Sequence, residues 1–293
     1  MYRLIFSFLF VFLAAIGSFA DINTSISGTV EWDAMQIKAE VILDLASAGL
    51  RLPAGRIQGE MLLNEYYLHL IRQSILGLQV DSSSTVADLV NRGEFSLQET
   101  ETLALEAASV PPALSQDMRS MFSSYTINLS GVSSLLLRNV HTSRVGRTLN
   151  PVSTAQYTGI VIIASESLPV HGMRSMALAV PCLFPKIWDN DMNLVYERSM
   201  LETRDNPMVR YSSSRNIFLN NPSGLSAELQ EIVGDRPLRI FANGVFGINP
   251  ADLIIDRNDA LLIISSEENR RLLSQGKVAI ILNESVLKSE FKN

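Results

Sequence analysis

Apolar and polar residues alternate at the start of the chain and then switch to helical spacing. Ile26-Ser27-Gly28-Thr29-Val30-Glu31-Trp32 and the stretch from Ile37 to Leu45 read as strands, with Asp33-Ala34-Met35-Gln36 as their hairpin connection. Pro53 opens a helix, where a missing N–H costs nothing. Ile57, Met61, Leu68, Ile71, Ile75 and Leu78 then fall along one helical face, with Gly77 near its end. A second helix starts at the capping box Ser96-x-x-Glu99 and must stop before Pro111-Pro112. Tyr125 to Leu129 and Val132 to Val140 are the next apolar runs, both expected as strands. The polar segment from His141, with Gly146, Asn150 and Pro151, reads as a linker.

The second half opens on the buried-strand run Tyr157-Thr158-Gly159-Ile160-Val161-Ile162-Ile163-Ala164. The stretches Cys182 to Trp188 and Leu194 to Tyr196 flank the turn Asp189-Asn190-Asp191-Met192-Asn193 as a hairpin. Leu225, Leu229, Ile232 and Val233 mark a short helix closed by Gly234. Strands are expected at Leu238 to Phe246, Leu253 to Asp256 and Asp259 to Ile264. A helix capped by Ser265-x-x-Glu268 and closed at Gly276 follows, then the strand Lys277 to Leu282. Strand, helix, strand in that order predicts a parallel βαβ crossover. The expected class is therefore α+β. Two modest domains each hold a small mixed sheet covered by helices, and the second ends in a βαβ unit.

Residues 1–20 stand apart from this globular pattern. Met1-Tyr2-Arg3 gives a positive start, Leu4 to Ile16 is apolar except for Ser7, and Gly17-Ser18-Phe19-Ala20 supplies small exit residues. That order predicts a secretory signal cleaved after Ala20, and the run is shorter than the roughly 20 residues a bilayer crossing needs. The expected organisation is signal 1–20, N-terminal α+β domain 21–140, linker 141–156, C-terminal α+β domain 157–284 and polar tail 285–293.

Composition adds bounds rather than an activity. Removing Arg3 with the signal leaves 23 Lys and Arg against 30 Asp and Glu, a net charge of −7. That mild acidity gives no basic footprint of the kind nucleic acid requires. With Cys182 as the single cysteine there is no intramolecular disulfide, so an exported chain must rely on its core, which 47% hydrophobic residues allow. Ala179-Val180-Pro181 and Leu183-Phe184 around Cys182 predict burial rather than reactivity.

The candidate chemistry is thin. Asp189-x-Asp191-x-Asn193 begins like a calcium loop, but Leu194 and Met200 occupy the places of the required glycine and glutamate, which leaves a turn. His69, His141 and His171 make no metal-ligand spacing with one another or with Cys182. No Gly-x-Ser-x-Gly elbow marks a nucleophile, and Ser285-x-x-Lys288 lacks the companion motifs of a serine–lysine enzyme. No catalytic, cofactor or metal residue is assigned. Arg138, Arg144 and Arg147, with His141, form the one local basic cluster, a candidate contact for an anionic partner.

The C-terminal half resembles exported diderm-bacterial envelope proteins related to the flagellar outer-membrane lipoprotein FlgP. The matching residues are Tyr157-Thr158-Gly159-Ile160-Val161-Ile162, Pro185-x-Ile187, the Asp189–Asp191 turn with Val195-Tyr196, and Gly234-Asp235-x-Pro237-Leu238-x-Ile240-x-Ala242. Asp259-Ala260-x-x-Ile263, Leu272 or Leu273, and Val278 to Leu282 complete the set, with Pro53-Ala54-Gly55-Arg56 and Val80-Asp81-Ser82 in the helical region. The resemblance implies a non-enzymatic, oligomerising structural or assembly protein of the envelope, flagellum-associated or peripheral at the outer membrane. It brings no catalytic residues. No cysteine stands directly after Ala20, where Asp21 lies instead, so the lipid anchor of many relatives is not expected. The expected protein is periplasmic, a homo-oligomer bound to envelope or flagellar proteins, with no cofactor, nucleic acid or transmembrane span after cleavage. The alternatives are a module binding cell-wall or lipid groups through the arginines, and a periplasmic hydrolase whose triad is assembled only in space.

Overall fold

The computed structural model of the chain describes residues 23–138, 140–202 and 207–292. The segment expected as an export signal, residues 1–20, lies outside them. Strands β1 (Thr24–Glu31) and β2 (Gln36–Asp44) form the expected antiparallel hairpin. On β2 the alternation is strict: Ile37, Ala39, Val41 and Leu43 are buried, while Lys38 and Glu40 face water. Helices α1 (Arg56–Leu76), α2 (Val86–Asn91) and α3 (Leu97–Leu105) follow. Two short strands, β3 (Ala108–Ser109) and β4 (Ala113–Leu114), pair with β5 (Ser120–Asn128), which pairs with β2 over nine residues. Helix α4 (Leu129–Leu137) leaves the end of β5.

Two expectations in this half are corrected. The buried stripe of α1 is Gly59, Leu63, Tyr67, Ile71 and Ile75, whereas Ile57 and Met61 are 73% and 68% exposed. The true stripe repeats every four residues, and its Tyr67 stacks on Tyr125 of β5 at 3.6 Å between ring centroids. Residues 132–137, within the run Val132 to Val140 expected as a strand, belong to helix α4. Asn128 caps the first turn by accepting from the Ser130 N–H, and Leu129, Val132, Ser133 and Leu136 take helical spacing. Helix α2 rests on a capping box of Thr85 and Asp88.

The second half builds a seven-stranded sheet. Its strands are β6 (Ile160–Ala164), β9 (Ile187–Asp189), β10 (Leu194–Tyr196), β11 (Arg210–Ser213), β12 (Leu238–Phe246), β13 (Asp252–Ile255) and β14 (Val278–Leu282). They lie in the order β10-β9-β13-β12-β6-β14-β11, while β7 (Ser167–Pro169) and β8 (Met176–Leu178) form a separate hairpin. Helix α5 (Ala227–Val233) covers one face: Val161, Ile163, Ala279 and Ile281 lie beneath Leu229 and Val233. The other face joins a core that runs unbroken into the first sheet, from Ile280 and Tyr211 to Trp32 and Val30. Covered on both sides, β6 and β14 are wholly buried and wholly apolar.

Residues 259–264, expected as a strand, belong to helix α6 (Arg257–Ile264), because Asp256 accepts from the Asn258 N–H and caps it. Helix α7 (Glu267–Ser274) follows. The closing β–α–α–β unit is not a parallel crossover. Strand β13 runs antiparallel to β12, which is parallel to β6 and through it to β14. The parallel crossover is instead β11–α5–β12. Residues 288–292, expected within a polar tail, form β15 (Lys288–Lys292), which pairs antiparallel with β1 and becomes the edge strand of the first sheet.

Residues 141–156 carry no helix or strand, and their second half is pinned by one side chain. Asn269 on α7 is 1% exposed. Its amide donates to the Ala155 and Leu262 carbonyls at 2.9 and 3.0 Å and accepts from the Tyr157 N–H at 3.2 Å. Replacing it with alanine removes all three bonds from partly buried backbone and leaves the Leu262 carbonyl only the Thr154 hydroxyl, at 3.1 Å. Asn269→Ala is therefore expected to lower unfolding free energy by about 2–4 kcal/mol in urea titration, and an effect below about 0.5 kcal/mol contradicts this role.

Candidate functional site

A cleft of about 590 Å³ opens where the two halves and the returning strand meet. Its walls are Val30 and Trp32 from the first hairpin, Gln73, Ser74 and Gly77-Leu78-Gln79 at the end of α1, Val180-Pro181 and Asn249 from the second half, and Ser285, Val286 and Lys288 to Phe291. That volume falls within the range of roughly 300–1,000 Å³ usual for ligand sites.

Each wall is held by contacts between the halves. The Trp32 N–H donates to the Leu287 carbonyl at 2.9 Å, and its ring meets Tyr211 edge-on at 6.0 Å. The Tyr211 hydroxyl donates to the Cys182 carbonyl at 2.8 Å and accepts from the Cys182 N–H at 3.1 Å. Leu183 and Phe184 donate their N–H groups to the Gln79 and Val80 carbonyls at 3.0 and 2.8 Å, and the Asn249 N–H donates to Ser82 at 3.0 Å. The backbone at Gly247 presses so close that a Cβ there would stand 2.3 Å from Ser82 Cβ, and its φ of +110° favours glycine as well. Beneath this contact Asp252 is 1% exposed. Burial pushes its carboxyl up, partly offset by donation from the Lys186 N–H, Trp188 Nε1 and the Ser82 hydroxyl. Burial also drives the Cys182 thiol well up, which makes it an inert core group as its apolar neighbours predict.

Strand β15 is fixed from both of its faces. Glu31 accepts from Lys38 at 2.7 Å, from Lys288 at 3.0 Å and from Gln36 at 2.8 Å, so one carboxylate ties three strands together. On the opposite face Phe291 lies over Gly28, where a Cβ would stand 2.5 Å from the ring and 2.2 Å from the Lys38 carbonyl oxygen. Glycine is thus required by close approach rather than by its φ.

The groups considered for chemistry are spoken for or scattered. Ser285 Oγ donates to Asn283 Oδ1 at 2.8 Å. Glu31 holds the Lys288 ammonium above its usual value, the reverse of what a lysine base needs. His69 and His141 are exposed on α1 and the linker, His171 sits edge-on to Phe246 at 6.0 Å, and none of the three lines the cleft. Asp189 folds back to accept from the Asp191 and Asn193 N–H groups at 3.0 and 2.8 Å, closing the hairpin turn. Among the described residues no cluster of His, Cys, Asp and Glu could hold a metal ion. No helix among them is long and apolar enough to cross a membrane.

The basic cluster is only partly available. Arg138 pairs with Glu99 at 3.3 Å, while Arg144 and Arg147 are exposed on the linker. No sequence reading picked out the cleft. The one available signal was the alternation of charged Lys288, Glu290 and Lys292 with Ser289 and Phe291, a period-2 pattern in a segment too short and polar to read as a strand.

Residues 23–135 match the model of the N-terminal domain of Treponema pallidum Tp0624, and residues 159–284 match that of its second domain. The chain carries both Tp0624-type domains, in that order. No curated protein matches it. The second Tp0624-type match ends at residue 284, so β15, one wall of the cleft, lies beyond both matched regions.

Two outcomes follow for the strand that joins the Tp0624-type domains. The Glu31 carboxyl is held down to about 2 from an ordinary 4.5 by Lys38 first, then Gln36 and Lys288. A lowered carboxyl stabilises the fold fully above its unfolded value and loses that contribution as pH falls through the folded one. The advantage of wild type over Glu31→Gln in chemical unfolding should therefore be constant near neutrality and shrink between pH 4.5 and about 2. A pH-independent difference contradicts the clamp. Separately, Gly28→Ala must displace Phe291 or the Lys38 backbone. Amide exchange at residues 288–292 should accelerate, with a loss of about 1–3 kcal/mol; unchanged exchange there rejects the packing role.

Proposed function

We propose that the chain is a non-enzymatic structural or assembly protein of the cell envelope that acts by holding other proteins, and that the interdomain cleft is where it holds them. The observation that carries this reading is the edge of β15. Among the described residues its strand pairs on one side only, and it borders a cleft built from both domains. Exposed strand edges are ready templates for pairing with another chain. The apolar run of residues 1–20 and the resemblance of residues 157–282 to FlgP-related proteins support an exported, periplasmic place of action. That place is the flagellum or the inner side of the outer membrane, with self-association beside partner binding.

The test is a photo-crosslinking residue at Ser289, which is exposed and lines the cleft, introduced into the protein in its native cells. The expected result is covalent capture of an envelope protein from Ser289 but not from Met173, a 63% exposed control position. Identical adducts from both positions, or none from Ser289, overturn the assignment. The exposed pair Arg144 and Arg147 supports a second reading, contact with anionic cell-wall or lipid groups. It requires that Arg144→Ala with Arg147→Ala reduce sedimentation with cell-wall and membrane fractions, and unchanged sedimentation removes it.

A further inference from the structure

Taking the cleft as a protein-holding site, we infer that its occupant is an extended segment of a different protein that adds as a strand to the free edge of β15. Side chains of that segment alternate acidic, apolar, basic, apolar, acidic opposite residues 292 to 288.

Among the described residues, no backbone group of Lys288–Lys292 has a partner beyond the ladder with β1. Water satisfies this edge in the free protein, and an extended backbone can replace that water along the whole edge with ladder hydrogen bonds. The four consecutive residues Lys288, Ser289, Glu290 and Phe291 all border the cleft. Consecutive strand residues point to opposite faces, so the cleft follows the strand edge rather than one face.

Register then assigns chemistry to the incoming chain. Ser289 lies opposite Val30 on β1, and Phe291 opposite Gly28. Residues facing Ser289 and Phe291 therefore sit on the side where Val30, Trp32, Leu78 and Pro181 form the apolar part of the cleft. Residues facing Lys288, Glu290 and Lys292 sit on the polar face, where opposite charges directly across a ladder stabilise and like charges destabilise. A second copy of β15 fits badly. Antiparallel pairing over all five residues would set Lys288 against Lys292 and Glu290 against Glu290.

The probes are two capped pentapeptides, Glu-Val-Lys-Val-Glu and Glu-Val-Glu-Val-Glu, titrated into the full-length mature protein with amide NMR shifts as readout. Wild type should prefer the lysine-centred peptide by about threefold to tenfold, with the largest shifts at residues 288–292. Glu290→Lys, at an exposed position, should invert the preference while its unfolding midpoint stays within error of wild type. Equal affinity for both peptides, shifts centred away from β15, or concentration-dependent shifts of residues 288–292 without peptide each overturn strand addition by a foreign segment. Protein capture from Ser289 with no peptide preference would sink this inference alone and leave the proposed function standing.

Discussion

The pairing of β15 with β1 is the constraint on which the rest of the molecule depends. It joins residues 288–292 to residues 27–31, the far ends of the described chain, and so closes the second domain back onto the sheet of the first. Once that strand is in place, Leu287 must lie beside Trp32, and Trp32 beside Tyr211. The cleft is the space left between this returning strand, the end of α1 and the loops that carry Pro181 and Asn249. Glu31 and Gly28 hold the strand by different means, a shared carboxylate on one face and a missing side chain on the other.

The interface between the halves resembles a core more than a contact of independent domains. Apolar residues run across it without a break, and its polar groups are nearly all answered: Asp252 by two N–H donors and a hydroxyl, Tyr211 by both backbone groups of Cys182. Such networks tolerate little relative movement, because each separation would expose an unpaired buried group. A rigid cleft suits a surface that holds a partner by shape and strand pairing.

Much of the architecture was legible from periodicity and caps. The first hairpin, the capping box at Ser96, the Asp189 turn and the buried run at Ile160 read directly because each is a local signal. Failures came where local signals were ambiguous or the deciding contact was distant. Val132 and its leucine neighbours suit a strand or a buried helix equally, and only the Asn128 cap decides. The face of α1 was misplaced because Ile57 and Met61 are apolar yet point outward, while Tyr67 finds its partner Tyr125 across the fold. The cleft could not be read at all. Its walls come from five separated segments, and β15 has a partner more than two hundred and fifty residues away. The three arginines were visible, but their local clustering said nothing about Glu99, which takes one of them.

The central claim is that the two Tp0624-type domains and β15 form one cooperative body with a permanent cleft. The two tryptophans allow a direct test, since Trp32 lies in the first domain and Trp188 in the second. Urea unfolding of Trp188→Phe and Trp32→Phe, each read by its remaining tryptophan, reports the domains separately. After correction by a circular-dichroism curve for each variant, the account predicts coincident fluorescence and backbone transitions for both reporters. A tryptophan signal that moves well before or after the backbone transition, with one domain folded while the other is not, would contradict it.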